Sequence, residues 1–110
     1  MSTETVTTIT TDQDVMTLIN VFTVEPENQR ELLEVLTQAT TVMTAQPGFI
    51  SANLHRSDDG RRVINYAQWS SRDDYAAMLA NPQARAHMGH AAELATFDPI
   101  VCVVAYTGHV

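Results

Sequence analysis

The apolar residues of this chain change their period along its length, and that succession limits the folds open to it. Residues 15–24 (VMTLINVFTV) are rich in β-branched side chains and read as a strand. Met16, Leu18, Asn20, Phe22 and Val24 share one face; Val15, Ile19 and Val21 share the other. Both faces are largely apolar, so both call for a cover. At Glu25-Pro26-Glu27 the pattern turns helical, with proline near the first turn and acids at the positive end of the dipole. Leu32, Val35, Leu36, Ala39, Val42 and Met43 then form one apolar stripe, and Pro47-Gly48 ends it. Residues 49–56 and 62–70 are strands again, joined by the turn Ser57-Asp58-Asp59-Gly60 into a hairpin. In the second of these, Val63, Asn65, Ala67 and Trp69 point one way and Ile64, Tyr66 and Gln68 the other. Ser70 and Ser71, followed by Asp73 and Asp74, predict the cap of a short helix with Tyr75, Met78 and Leu79 on its inner side. Asn81-Pro82 starts a further helix whose apolar face is Ala84, His87, Met88, Ala91, Leu94 and Ala95. Residues 100–106 are the last strand.

The resulting order, strand, helix, strand, strand, helices, strand, is the βαββαβ pattern of a ferredoxin-like α+β domain. Its helices cover one sheet face and leave the other bare. Val15, Ile19, Val21, Ile64 and Tyr66 make that bare face apolar, which predicts association with a second sheet, most simply as a homodimer. The chain has 110 residues, enough for one domain at 14–110 and short enough to profit from burial against a partner. Residues 1–13 carry six threonines and no positively charged stretch; they read as a flexible polar tail rather than a secretory signal.

Charge and composition exclude several classes of partner. The formal net charge is -7 with no basic cluster, which argues against nucleic acid. No apolar run is long enough to span a bilayer, which argues against a membrane. Cys102 is the one cysteine and lies in an apolar run, so it reads as a small hydrophobe in a strand, in keeping with a reducing cytoplasm.

A few residues break the apolar pattern and raise the question of chemistry. Asn20 stands between Leu18 and Phe22 on an apolar strand face, where an unbonded amide costs about 1–3 kcal/mol. It is either tied to backbone or it lines a polar pocket, and Asn65 poses the same alternative on the neighbouring strand. Trp69 is by default a core anchor. His87 on a helix face is either a satisfied interior histidine or a base poised near neutral pH. His87 and His90 have zinc-like spacing but no third ligand, so no metal is expected. Met16, Met43, Met78 and Met88 suit core filling and equally the wall of a pocket for a flat aromatic molecule.

The segment Pro47-Gly48-Phe49-Ile50-Ser51, followed by Asn65-Tyr66-Ala67-Gln68-Trp69 and then Tyr75, resembles the antibiotic biosynthesis monooxygenase family over roughly residues 15–106. The resemblance implies a dimeric α/β barrel. In its quinone-forming branch it implies oxidation of an anthrone-type phenolic aromatic with O2, and no metal, flavin or haem cofactor. On this resemblance Asn65, Trp69 and Tyr75 are catalytic, with His87 as the candidate base. Asn20, Phe22, Met78, Arg85 and Met88 would bind substrate. The family arginine falls on Met88 here, and Arg85, about one turn away, is the candidate replacement. A second branch binds and opens haem. The segment Pro82-Gln83-Ala84-Arg85-Ala86-His87-Met88-Gly89-His90 resembles its histidine region, which would make His87 the axial ligand and Asn20 the strand asparagine, while its tryptophan position falls on Met78. A third reading is a non-enzymatic dimer that binds a small ligand, since one fold hosts many functions.

Overall fold

The structure is a computed structural model and describes residues 5–11 and 14–110. Strand β1 (Met16–Val24) leads through a single 3-10 turn (Pro26–Asn28) into helix α1 (Gln29–Met43). A hairpin of β2 (Phe49–Arg56) and β3 (Arg62–Trp69) follows, then α2 (Arg72–Leu79), α3 (Pro82–Leu94) and β4 (Ala95–Cys102). The strands form one antiparallel sheet in the order β2-β3-β1-β4. This is the ferredoxin-like α+β fold that the order of patterned segments predicts. Among the described residues no helix is long and apolar enough to cross a membrane.

The helix starts follow the local chemistry. Ser71 caps α2, its Oγ accepting from Asp74 N at 3.1 Å. Asn81 caps α3, its Oδ1 accepting from Gln83 N at 2.9 Å and Ala84 N at 3.3 Å, with Pro82 in the first turn. Gly60 closes the hairpin turn with a positive φ of 79°, which an L side chain rarely adopts.

The last strand differs from its expected position at 100–106: it begins at Ala95, directly after α3, and ends at Cys102. Ala95 serves both elements. Its N–H still bonds Ala91 O, while its φ and ψ of -151° and 157° are already extended. The helical spacing of Ala91 and Ala95 therefore hides the start of a ladder that pairs Val24 with Ala95 and Thr17 with Cys102.

Two apolar clusters fill the space between sheet and helices. Phe22, Val24, Leu32, Val35, Leu36, Val63 and Ala91 form one. Met16, Leu18, Ala67, Trp69, Met78 and Ala84 form the other. Trp69, Phe22, Leu32 and Val63 are the largest fully buried side chains, each stabilising by about 1.5–3 kcal/mol or more. In the register of β1 on β3, Leu18 faces Ala67 and Phe22 faces Val63. Between these two pairs Asn20 faces Asn65, so the seam between the clusters is a cross-strand pair of amides.

The outer sheet face carries Ile19, Val21, Ile64 and Tyr66, half-buried with no helix over them, and β2 and β3 add a polar network beside them. Ser51 Oγ donates to Gln68 Oε1 at 2.8 Å, and Asn53 Nδ2 donates to Tyr66 O at 3.0 Å. Residues 5–11, within the segment expected as a tail, have no helix or strand but meet this network. Thr7 Oγ1 donates to Asn53 Oδ1 at 2.9 Å, and Gln68 Nε2 donates to Thr8 O at 2.8 Å. Residues 1–4, 12 and 13 lie outside the described part.

Candidate active site

A cavity lies on the helix side of the sheet at the seam between the two clusters. Strand β1 contributes Leu18, Asn20 and Phe22 to its wall, and β3 contributes Asn65, Ala67 and Trp69. Leu36, Ala39, Thr40 and Met43 of α1 close one side, Tyr75, Met78 and Leu79 of α2 another, and Leu54 and Met88 complete the lining. Its free volume is about 40 Å³, room for a few water molecules but far below the ~300 Å³ or more of a typical ligand pocket.

The two asparagines set the polarity of this space. Asn20 is 6% exposed, and the Oδ1 atoms of both Asn20 and Asn65 are buried without a hydrogen-bond partner. Neither amide is tied to backbone, so of the two alternatives the sequence posed, the structure has the one in which both face a pocket. A buried acceptor left open costs about 1–3 kcal/mol in the free protein.

The aromatic side of the cavity is held by the helix-to-strand turn. Trp69 meets Phe49 edge-on, with ring centroids 5.3 Å apart, and lies 6.1 Å from the ring of Tyr75. Gly48, with φ of 81°, lets the chain approach α2 so closely that a Cβ there would collide with the Asp74 side chain. Ser70 N donates to Gly48 O at 2.7 Å, and Ser70 Oγ and Ser71 Oγ donate to Asp74 Oδ2 at 2.6 and 3.0 Å. Turn, strand end and helix start are thereby locked together, and Tyr75 follows directly on this lock. Burial pushes the Tyr75 phenol above its ordinary pKa of 10.0, so it keeps its proton at neutral pH and serves as a donor.

Of the residues singled out from sequence, Asn20, Phe22, Asn65, Trp69, Tyr75, Met78 and Met88 meet around this cavity. His87 and Arg85 are not in its lining. The cause is helical phase: Ala84, Met88 and Ala91 carry the inner stripe of α3, and positions 85 and 87 fall to either side of it. His87 Nδ1 lies 2.9 Å from Gln83 O; a carbonyl only accepts, so that nitrogen carries the proton. The arrangement sketched for haem, with His87 as axial ligand, thus has no iron ligand in the lining. Among the described residues no three His, Cys, Asp or Glu side chains group as a metal site would require. Arg85 instead lines a neighbouring apolar hollow of about 250 Å³ with Leu79, Ala84, Met88 and Phe97. Leu79 and Met88 belong to both spaces and form the partition between them. Sequence reasoning did not single out Leu36, Ala39, Thr40 and Leu54 as lining; the α1 stripe was the available signal for the first two.

The sequence profile of the antibiotic biosynthesis monooxygenases matches residues 15–89, the stretch from the start of β1 into α3. The chain belongs to the antibiotic biosynthesis monooxygenase family. It is 44% identical over 101 residues to the tetracenomycin-F1 monooxygenase of Streptomyces glaucescens, covering 91% of this chain and 90% of that one. Among solved structures, SnoaB, a cofactor-independent oxygenase from Streptomyces nogalater, superposes with a TM-score of 0.78 at 28% identity, covering 86% of this chain and 96% of that one. The ActVA-Orf6 monooxygenase of Streptomyces coelicolor, solved with nanaomycin D, gives 0.77 at 26% identity, with coverage of 86% and 91%. The Pro47-Gly48-Phe49 turn and the Asn65-to-Trp69 strand, on which the family resemblance rested, both fall inside the matched stretch.

Proposed function

We propose that this chain, a monooxygenase of the antibiotic-biosynthesis group, oxidises a fused phenolic aromatic of the anthrone type to a quinone with O2 and without a cofactor. The observation that carries the reading is the unpartnered pair Asn20 and Asn65 in an otherwise apolar cavity that also holds Trp69 and Tyr75. Its relatives, a tetracenomycin-F1 monooxygenase and a cofactor-independent oxygenase, support it.

The chemistry asks little of the protein beyond this setting. Triplet O2 reacts slowly with closed-shell molecules, but a phenol whose ring carbon is deprotonated becomes a carbanion able to give O2 an electron. Recombination yields a hydroperoxide at that carbon, and loss of water leaves a carbonyl. A methylene and O2 thus become a carbonyl and water, and every electron that O2 accepts comes from the substrate. The protein's part is to exclude water and to offer hydrogen bonds to the charge that develops on the phenol oxygen. The Nδ2 of Asn65, the Trp69 indole N–H and the protonated Tyr75 hydroxyl are the donors suited to this, and the open Oδ1 atoms accept from a neutral hydroxyl or a water. Among the described residues Tyr75 is the one titratable group in the lining and stays protonated, so the proton leaves to a water or to the substrate's own phenolate.

A fused aromatic needs more room than the closed cavity offers. Outward movement of Leu79 and Met88 joins it to the neighbouring hollow, and methionine adapts readily to such a change. Arg85 then lies over the outer part of the bound molecule rather than at the reacting carbon. We also propose a homodimer in a reducing cytoplasm. Phe97 and Val101 of β4, opposite Phe22 and Leu18, are exposed apolar side chains on the helix side of the sheet, Ile100, opposite Ile19, is one on the outer face, and beyond the strand Val103 and Tyr106 are 76% and 83% exposed, apolar surface that a second copy would cover.

Oxygen uptake with 1,8-dihydroxyanthrone in the presence of a metal chelator tests the reading. Quinone formation well above the spontaneous rate is expected. Tight binding of the anthrone with no acceleration would leave a ligand-binding dimer in place of an enzyme.

A further inference from the structure

The outer face of the sheet is built in two unequal halves. Over β2 and β3 lies the arm of residues 5–11, held by Thr7 Oγ1 on Asn53 Oδ1 and by Gln68 Nε2 on Thr8 O. Thr17 and Gln68 are in consequence as buried as core residues, although no helix covers them. At the other edge β4 stands bare: Asp98 and Ile100, whose β1 partners are Val21 and Ile19, are exposed. Fixing the backbone of seven residues costs several times what a few hydrogen bonds return. Val6 and Ile9 of the arm are exposed apolar side chains, so burying them against a further surface is what offsets the remainder.

The two halves also differ in charge. Asp98, Val21, Ile64 and His55 form one row across the four strands, which puts Asp98 and His55 at opposite edges, about 14 Å apart. Asp98 is the one acid among the strand residues of this face. His55 and, one row further, Arg62 on β3 are the bases. Neither Asp98 nor His55 makes an ion pair among the described residues. His55 Nδ1 lies 3.2 Å from Asn53 O and holds a proton toward it, so Nε2 can donate only when the ring is an imidazolium.

We infer that a second copy packs on this face about a two-fold axis running along the strands, with the arm of each chain over the bare β4 of the other and each Asp98 opposite the partner's His55. This rests on the homodimer proposed above and adds its orientation, the arm as an interface element and a dependence on pH. Aligned sheets stacked face to face are related by a two-fold along their strands or across them. The axis across the strands sets arm on arm and β4 on β4. The axis along them sets the raised half on the bare half and keeps the rows in step, so opposite charges meet twice per dimer. At a net charge of -7 two copies repel each other overall, whereas this face, with one acid against two bases, complements itself.

Sedimentation equilibrium of the full chain tests the arrangement. The dimer Kd should rise roughly threefold to tenfold between pH 5.5 and 8, as the imidazolium is lost. Asp98→Lys should weaken the dimer roughly tenfold, and adding His55→Glu should restore it to within about threefold while abolishing the pH dependence. Val6→Asp with Ile9→Asp, which sets two carboxylates of each arm against the other chain, should weaken it by tenfold or more. A Kd that ignores pH, or an Asp98→Lys loss that His55→Glu does not rescue, would overturn the charge pairing. An unaltered Kd in the Val6 and Ile9 variant would remove the arm from the interface. A dimer indifferent to all of these changes refutes this orientation and leaves the homodimer standing; a monomer at every concentration and pH sinks both.

Discussion

The two faces of the sheet treat the same side-chain chemistry in opposite ways. On the outer face, Asn53 and Gln68 are knitted into a network: each amide both donates and accepts, through Ser51, Tyr66 O, Thr7 and Thr8 O. On the inner face, Asn20 and Asn65 stand opposite each other with their acceptors open. Gln68 and Asn65 lie three residues apart on one strand and point to opposite faces, so residue type alone does not account for the difference. What differs is closure. Amides whose capacity is used up hold structure, and amides left open in a buried apolar space cost stability that only a ligand recovers.

Substitutions on the two faces should therefore move different observables. The largest effect is expected for Asn65→Ala on the inner face: turnover of an anthrone falling roughly 10²–10³-fold, as when one charge-stabilising donor is removed, with Tm unchanged or raised. Steady-state kinetics beside a thermal melt decide it, and a fall in Tm with unaltered turnover would reverse the assignment of the two faces. On the outer face Gln68→Ala should do the opposite. It strands Ser51 Oγ and Thr8 O, lowering stability by about 1 kcal/mol in denaturant titration while kcat stays near the wild-type value.

The smallest change is expected for His87→Ala, whose ring lies outside the cavity lining, with turnover within about twofold and a pH–rate profile of unchanged shape. The rate should follow ionisation of the substrate instead. Tyr75 adds a high-pH limit. Its folded-state pKa is raised, so its contribution to stability is complete below the ordinary value of 10.0 and is lost as pH climbs through the raised one. Melts of wild type and Tyr75→Phe should therefore diverge only in strong alkali.

How much of this was legible in the sequence depended on which periodicity carried the information. Strand parity put Asn20 and Asn65 on the helix side, because successive side chains alternate and both residues lie among apolar neighbours. The caps at Ser71 and Asn81 were readable from residue type alone. Helical phase was less forgiving. His87 fits the edge of an apolar stripe on paper, but one residue is 100° of arc, and Met88 takes the inward position. The start of β4 was masked because Ala95 satisfies both a helix and a ladder. Threonine-rich composition suggested a free tail, whereas Thr7 and the Thr8 carbonyl find partners supplied by strands some 46 and 60 residues away, which no local pattern reports. The volume of the cavity depends on how Leu79 and Met88 rest against each other, and spacing is silent on that.

The lock between Gly48 and Asp74 sits at only one end of α2. At the other end Met78 is held in the core with Trp69 and Ala84, while Leu79 beside it is 43% exposed. A helix seated at both ends keeps its backbone still, and what can yield is the side chain at the rim. Room for a larger guest would then come from a turn of Leu79 about its own bonds, with the Tyr75 hydroxyl left where the fixed end holds it.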